Sequence, residues 1–332
     1  MQLRSIDYHT AGEPFRIVVD GTPALGGTTV ADKRVYAQTD ADADRVRTLL
    51  VNEPRGHADM YGCFVVEPDD AGADLGVVFW HKDGYSTACG HGTIALATWA
   101  VATGVVDSEP DGDTDVTIDV PSGRVIAKVA RRAGRIEHVT FRNVASYVLA
   151  RNIAIETSRG NISVDVSYGG AIYVSVAAAS VGLAVEPSYY NELIAVGREV
   201  KAILEKTPYA MHPSDSRLSG IYGTILYDDI GRTDYGPHQR NVTVFADGEV
   251  DRSPCGSGTS ARVALLADDT TLGPSDTLTH DSIVGTRFHA RALPGPRPDT
   301  VVPEVVGAAY RTGEHTFVLD DDDPLPTGFV LR

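Results

Sequence analysis

Two cysteines sit in the same short frame, Cys89-Gly90-His91-Gly92-Thr93 and Cys255-Gly256-Ser257-Gly258-Thr259, separated by half the length of the 332-residue chain. Each copy follows a strand or turn signal and opens an apolar, helix-like run: Ile94-Ala95-Leu96-Ala97 in the first, Ala261-Arg262-Val263-Ala264-Leu265 in the second. A cysteine at a helix start lies among backbone N–H groups that the helix leaves unpaired, at the positive end of its dipole. That field favours thiolate over thiol, so both cysteines are expected to have lowered pKa values. Two such helix starts facing one cavity would offer two sulfur acid/bases to a single carbon. Removing the α-proton of an amino acid leaves a carbanion conjugated with the carboxylate, which requires donors aimed at the carboxylate oxygens. The N–H groups of Gly90 and His91, and of Gly256 and Ser257, are suited to this. Inversion at that carbon needs a base on one face and an acid on the other, so one thiolate and one thiol form a complementary pair.

The elements around the motifs must bring them into position. Residues 63–66 and 76–80 read as buried strands, the second leading into the first cysteine motif. Residues 116–120 and 125–129 pattern as a hairpin around Pro121-Ser122-Gly123, and 138–144 as a strand crossing into the second half. There, 162–168 alternates as a strand and breaks at Gly169-Gly170, a backbone requirement beside the site, with Tyr168 as a wall. Residues 186–205 carry Leu193, Ile194, Val196, Val200, Ile203 and Leu204 at amphipathic helical spacing. Strands at 223–227 and 242–245 flank a polar loop, 228–240, and the latter strand delivers the second motif. Helix at 40–50 and strands at 15–19 and 316–319 complete the reading. The half-chain repeat predicts an α/β (α+β) protein of two pseudo-symmetric domains with the active site in the cleft between them. The first spans 1–143 with a C-terminal return at about 313–332, the second 144–312.

Composition narrows the function classes. A chain of 332 residues suits two domains, and 42% hydrophobic with 22% charged residues is ordinary for a globular protein. The N-terminus has no signal-peptide pattern and no run is long enough to span a bilayer, so a cytoplasmic location without membrane contact is expected. Three cysteines, Cys63, Cys89 and Cys255, are too few and too odd for a disulfide scaffold, and Cys63 reads as a small buried hydrophobe. A net charge of −16 argues against nucleic acid as a partner, which leaves a small-molecule substrate; a homodimer is compatible with the sequence. Lysine is confined to Lys33, Lys82, Lys128, Lys201 and Lys206, while aspartate runs such as Asp320-Asp321-Asp322-Asp323 abound. A salty cytoplasm or a GC-rich genome accounts for this equally well. Activity that rises with molar salt is the expected outcome of the first; indifference to salt excludes it.

Other chemistries fit less well. Both motifs match G-x-G-x-x-A, the dinucleotide fingerprint, yet neither lies in the first strand–helix unit where that fingerprint works. There is no C-x-x-C for redox exchange and no clustered Cys/His or H-E-x-x-H for a metal. No cofactor and no metal are therefore predicted. His9 and His57 read equally as turn residues and as site residues.

His9-Thr10-Ala11-Gly12-Glu13-Pro14, Glu53-Pro54-Arg55-Gly56-His57, Tyr85 to Thr93, Asp165 to Gly170 and Asp251 to Thr259 together resemble the proline racemase family, in order and from about residue 5 to the C-terminus. That family includes 4-hydroxyproline 2-epimerases and trans-3-hydroxy-L-proline dehydratases. The resemblance implies a diaminopimelate-epimerase-like fold and cofactor-independent catalysis. It implies that Cys89 and Cys255 are the acid/base pair and that His91 and Asp251 contact the substrate's ring nitrogen. Racemases of the family carry two cysteines, whereas typical dehydratases have threonine at the second position, so Cys255 points to two-base racemisation of L- and D-proline with some 2-epimerisation of hydroxyproline. The stretches Tyr85-Ser86-Thr87, Gly170-Ala171, Tyr222 to Leu226 and Phe245-Ala246-Asp247 instead resemble the dehydratase branch, and a dehydratase using Cys89 is the alternative. The histidine that many 4-hydroxyproline epimerases carry near 220–226 is missing. A non-catalytic imino-acid-binding protein is the reading from a different class; it would bind proline without exchanging its α-proton. Two thiols that share one α-carbon are expected to oxidise together, so activity should require reductant.

Overall fold

The computed structural model describes residues 2–331. The chain divides into two units, Met1–Val139 with Ala308–Arg332, and Thr140–Gly307. In chain order the first unit contains β1 (Gln2–Thr10), β2 (Glu13–Asp20), α1 (Val30–Ala37), α2 (Ala41–Val51), β3 (Gly62–Val66), β4 (Leu75–His81), the short β5 (Gly84–Tyr85), α3 (Gly90–Ala102), β6 (Gly112–Val120) and β7 (Gly123–Arg132). Strand β8 (Arg135–Arg142) leads into the second unit: β9 (Tyr147–Thr157), β10 (Gly160–Tyr168), β11 (Ile172–Ala177), α4 (Tyr190–Leu204), β12 (Ile221–Thr233), β13 (Gly236–Phe245), the short β14 (Glu249–Asp251), α5 (Gly256–Asp268), β15 (Leu278–Ser282), β16 (Arg287–Pro294) and β17 (Val301–Gly307). Finally β18 (Ala309–Val318) returns to the first unit and pairs with β1.

Each unit has the same pairing logic. In the first, the order is β18-β1-β2-β3-β4-β6-β7, antiparallel except for the parallel pairs β2–β3 and β4–β6, with β5 folded back on β4. In the second it is β9-β10-β11-β12-β13-β15-β16-β17, antiparallel except for β11–β12 and β13–β15, with β14 folded back on β13. The two short strands, β5 and β14, deliver the chain to the two cysteine motifs.

Helix α3 is buried from Gly90 to Val101 and packs on β1, β2, β6, β7 and β18; α5 is buried from Gly256 to Leu266 and packs on β9, β10, β11, β16 and β17. Their sequences explain the placement. A helix apolar on all sides must be enclosed, and the Gly, Ala, Ser and Thr of these two let a surrounding sheet approach closely. The other helices cover one face each. In α4, Leu193, Val196, Gly197, Val200 and Leu204 form the buried stripe against β12 and β13. In α2, capped by Asp40, the buried positions are Ala43, Val46, Arg47, Leu49, Leu50 and Val51.

One element departs from the sequence reading. Residues 228–240 are not a loop: β12 and β13 continue as a paired ladder through Asp229↔Gln239 and Thr233↔Gly236, with a two-residue turn. The β12 arm is exposed from Asp229 to Arg232, while the β13 arm is buried or half-buried but built of Gly236, Pro237, His238, Gln239 and Arg240, so neither arm carries the apolar alternation that would have marked it. Among the described residues no helix is long and apolar enough to cross a membrane.

Candidate active site

Cys89 is the N-cap of α3, with extended backbone (φ −153°, ψ 102°), and its Sγ accepts the Gly92 N–H at 3.2 Å. Its carbonyl accepts both the N–H and the hydroxyl of Thr93, at 3.0 and 2.7 Å. His91 turns back over the sulfur, with Nε2 and Nδ1 at 3.5 and 3.6 Å from Sγ. The imidazole is held edge-on by Phe15 and Tyr61, at ring separations of 5.7 and 5.0 Å, and its carbonyl accepts the Thr10 hydroxyl at 2.9 Å. Tyr61 is fixed in turn by a short contact with the Ser86 hydroxyl. A thiolate here has an imidazole and a helix-start N–H within reach, which is the environment of a base.

Cys255 caps α5 in the same way, its Sγ accepting the Gly258 N–H at 3.3 Å, but its backbone does not match (φ +61°, ψ 107°). A non-glycine residue in that region is strained and needs its surroundings to hold it there. A relay does so: Asp251 Oδ1 accepts the N–H and hydroxyl of Ser253 at 2.8 and 2.7 Å, and Ser253 Oγ accepts the Cys255 N–H at 3.0 Å. On the other side the Tyr173 hydroxyl is 2.6 Å from Ser257 Oγ and 3.8 Å from Cys255 Sγ. Gly169 lies against the first turn of α5, where a Cβ would fall 2.4 Å from the Ser257 carbonyl and 2.6 Å from the Ala261 N. Both obstacles are backbone and cannot rotate away. Gly169→Ala is therefore expected to destabilise the protein by about 2 kcal/mol and to displace Ser257, read as a lower melting temperature together with a raised KM.

The expectation that both thiols are acidified fails at Cys255. Burial pushes its thiol well above the usual range and the Asp251 carboxylate pushes the same way; the Gly258 N–H and the hydroxyls of Thr243 and Tyr173 pull it back only in part. The magnitudes explain the outcome. A helix terminus contributes about 0.3–1 kcal/mol, roughly one pK unit or less, whereas full burial moves a thiol by up to about 3–5 units. At Cys255 burial therefore outweighs the helix start, and the thiol is pushed up rather than down. Cys63 is wholly buried on β3 and its thiol is likewise pushed up.

Behind Cys255 lies a buried polar network. His280 Nδ1 is 2.8 Å from Thr259 Oγ1, Thr259 donates to the Pro254 carbonyl at 3.0 Å, and Asn241 Nδ2 reaches both His280 Nε2 (2.9 Å) and the Pro254 carbonyl (3.1 Å). The consistent assignment has Nδ1–H donating to Thr259 and Nε2 accepting from Asn241. A second ring proton would meet the Asn241 donors. Burial, and then the Arg262 charge, hold the His280 pKa down at about 3, against an ordinary 6.5. Between these values the unfolded chain binds the extra proton, so stability falls as pH drops below 6.5, by up to about 1.4 kcal/mol per unit. Urea unfolding between pH 6.5 and 5 is expected to show this slope, and His280→Asn to flatten it.

The residues expected from the sequence thus gather at two helix starts: Cys89, Gly90 and His91 on α3, and Asp251, Cys255, Gly256 and Ser257 on α5 and the strand before it. Gly90, His91, Gly256 and Ser257 are first-turn residues, whose N–H groups have no carbonyl within their own helix. His9 and His57 each accept a backbone N–H within a turn, from Gly12 and Asp59, at 3.2 Å. The sequence reading did not find Tyr173, Tyr61 or Phe15. Tyr173 lies in an apolar run on a strand buried on both faces, where alternation gives no signal of direction.

Comparison with known proteins finds relatives along the whole chain. The family described as proline racemase matches residues 5–330. The chain is 43% identical to the trans-3-hydroxy-L-proline dehydratase of Burkholderia cenocepacia (strain HI2424), over 99% of this chain and 98% of that one. It is also 43% identical to the 3-hydroxyproline 2-epimerase of Burkholderia multivorans (strain ATCC 17616 / 249), with the same coverage. The crystal structure of a hydroxyproline epimerase from Agrobacterium vitis with bound trans-4-hydroxy-L-proline superimposes with a TM-score of 0.90 at 30% identity, covering 99% of this chain and 96% of that one. The fold is the mixed α/β one of these enzymes.

Proposed function

We propose, for a chain that belongs to the proline racemase family, that it dehydrates trans-3-hydroxy-L-proline from Cys89. The observation that carries the substrate is the end-to-end match, at 40–43% identity, to relatives named for 3-hydroxyproline. Racemisation of unsubstituted proline, expected from the cysteine pair alone, becomes the lesser activity.

The stereochemistry requires only one sulfur. In trans-3-hydroxy-L-proline the C2 hydrogen and the C3 hydroxyl lie on the same face of the ring. The Cys89 thiolate takes the C2 proton, and the carbanion's charge spreads into the carboxylate, where the N–H groups of Gly90, His91, Gly256 and Ser257 stabilise it. The same sulfur, now a thiol, hands its proton to the departing hydroxyl. The C3–O bond breaks, water leaves, C2=C3 forms, and the enamine tautomerises to the cyclic imine. His91 steadies the Cys89 thiolate from 3.5 Å, and with Asp251 holds the ring nitrogen.

One observation favours a second activity of the same site, 2-epimerisation. By the resemblance drawn from the sequence, Cys255 stands where typical dehydratases of the family have threonine, and burial pushes its thiol up. A thiol offered to the opposite face can return a proton to C2 with inversion, which a threonine hydroxyl cannot do near neutral pH.

Proton NMR in D2O with reductant, on L-proline, trans-4-hydroxy-L-proline and trans-3-hydroxy-L-proline separately, tests both. The expected result is loss of water from the 3-hydroxy compound as the fastest reaction, with slower C2 deuteration and epimer formation. Racemisation of L-proline as the fastest reaction would reinstate the racemase. No exchange with any of the three would overturn the substrate class.

A further inference from the structure

Cys89 and Cys255 head matching helices, yet their sulfurs meet different donors. Two residues on, the first has the His91 imidazole and the second the Ser257 hydroxyl. Ser257 does not act alone. Tyr173 rises from β11, wholly buried, with its hydroxyl between Ser257 Oγ at 2.6 Å and Cys255 Sγ at 3.8 Å, while the direct Ser257–Cys255 separation is 4.0 Å. Its ring is braced edge-on by Tyr222, which stacks on Phe245. The groups that face Cys255 come from each packed element: Tyr173 from β11, Thr243 from β13, Asp251 from β14, the Gly258 N–H from α5 itself, and the apolar Ile225 from β12. Asp251 is the negative charge among them, so an ionised Cys255 depends on its neutral donors.

We propose that Tyr173 is a positioning residue for the second cysteine, its hydroxyl turning from Ser257 to donate to Cys255 Sγ whenever that sulfur is ionised. With Cys255 as a thiol, Tyr173 O–H donates to Ser257 Oγ. When the sulfur has given up its proton to C2, Ser257 O–H donates to the tyrosine oxygen and Tyr173 O–H donates to the sulfur. Two hydroxyl hydrogens rotate, no proton changes owner and no heavy atom moves. Burial and the neighbouring Cys255 push the Tyr173 hydroxyl itself far up, so it remains a neutral donor throughout. The arrangement serves one face: Cys89 has His91, and Tyr173 belongs to the Cys255 helix start.

This inference rests on Cys255 acting as acid and base in epimerisation, and the test separates the two. Peptide-resolved initial rates of iodoacetamide alkylation report each sulfur without any substrate. In Tyr173→Phe, Cys255 is expected to alkylate about threefold more slowly than in the wild type at fixed pH, relative to Cys89, because a smaller thiolate fraction is partly offset by higher intrinsic reactivity. The limb of the epimerisation pH profile that requires the Cys255 thiolate should move up by about one pH unit, the size of one long hydrogen bond to an ion. The profile for elimination should not move. Ser257→Ala keeps its backbone N–H but removes the other acceptor of the Tyr173 O–H, so its alkylation ratio should be unchanged or raised, and the melting temperature of the phenylalanine variant guards against a folding defect. An unchanged or increased Cys255-to-Cys89 ratio in a folded Tyr173→Phe variant, or a ratio lowered as far in Ser257→Ala, overturns the proposal. Absent epimerisation combined with the shifted ratio would overturn the assigned reaction and leave the hydrogen bond standing.

Discussion

Cys89→Ser is expected to lower the rate of imine formation from trans-3-hydroxy-L-proline by about 10^3-fold or more, the combined loss of a general base and the acid it becomes. A serine hydroxyl has no useful population of alkoxide near neutral pH. The fold should survive. Serine is a better helix N-cap than most residues, its oxygen can accept the Gly92 N–H that Sγ now accepts at 3.2 Å, and the site is otherwise unchanged in volume. The decisive pair of measurements is kcat for the imine and the melting temperature on the same preparation. A large loss of rate at an unchanged or raised melting temperature is the expected result. A variant within tenfold of the wild type would mean that Cys89 is not the base, and that a single-sulfur elimination from the α3 face is wrong.

Cys255→Ser is expected to divide the two activities. C2 epimerisation should fall by about 10^3-fold or more, because the acid on the opposite face is gone, while elimination should stay within about tenfold of the wild type. Deuterium incorporation makes the separation visible: the variant should still eliminate, but should no longer deliver deuterium to C2 with inversion. Serine also suits the strained backbone (φ +61°) no worse than cysteine, so a folding defect is not expected to confuse the result. If elimination collapses with epimerisation, the roles of the two sulfurs are reversed, and Cys255 is the base that opens the reaction. That outcome would require the raised Cys255 thiol to ionise on substrate binding.

The local half of the site was legible before any coordinates. Cys-Gly-X-Gly-Thr before an apolar run is a capping signal, and both cysteines do cap helices, because a side-chain acceptor followed by small residues satisfies the first-turn donors whatever surrounds it. The α4 stripe and the β6–β7 hairpin were legible for the same reason: periodicity and a turn signal act within a few residues. The hairpin at 228–240 was not, since its β12 arm is exposed and its β13 arm, though largely buried, is written in polar residues, Gly and Pro that give no alternation.

Which way Cys255 titrates was beyond the sequence. Helix polarity is written in local order and predicts a lowered thiol; burial against Tyr173 and Ile225 is set by strands distant in the chain, and it wins. The same holds for Tyr173, 84 residues from the serine it touches. The sequence by itself determined which atoms could do the chemistry and that a helix start would present each of them. Only the tertiary structure decided the direction in which the second thiol is pushed and its hydrogen-bond partners, because desolvation and close contact are properties of what the chain packs around a group rather than of the residues beside it.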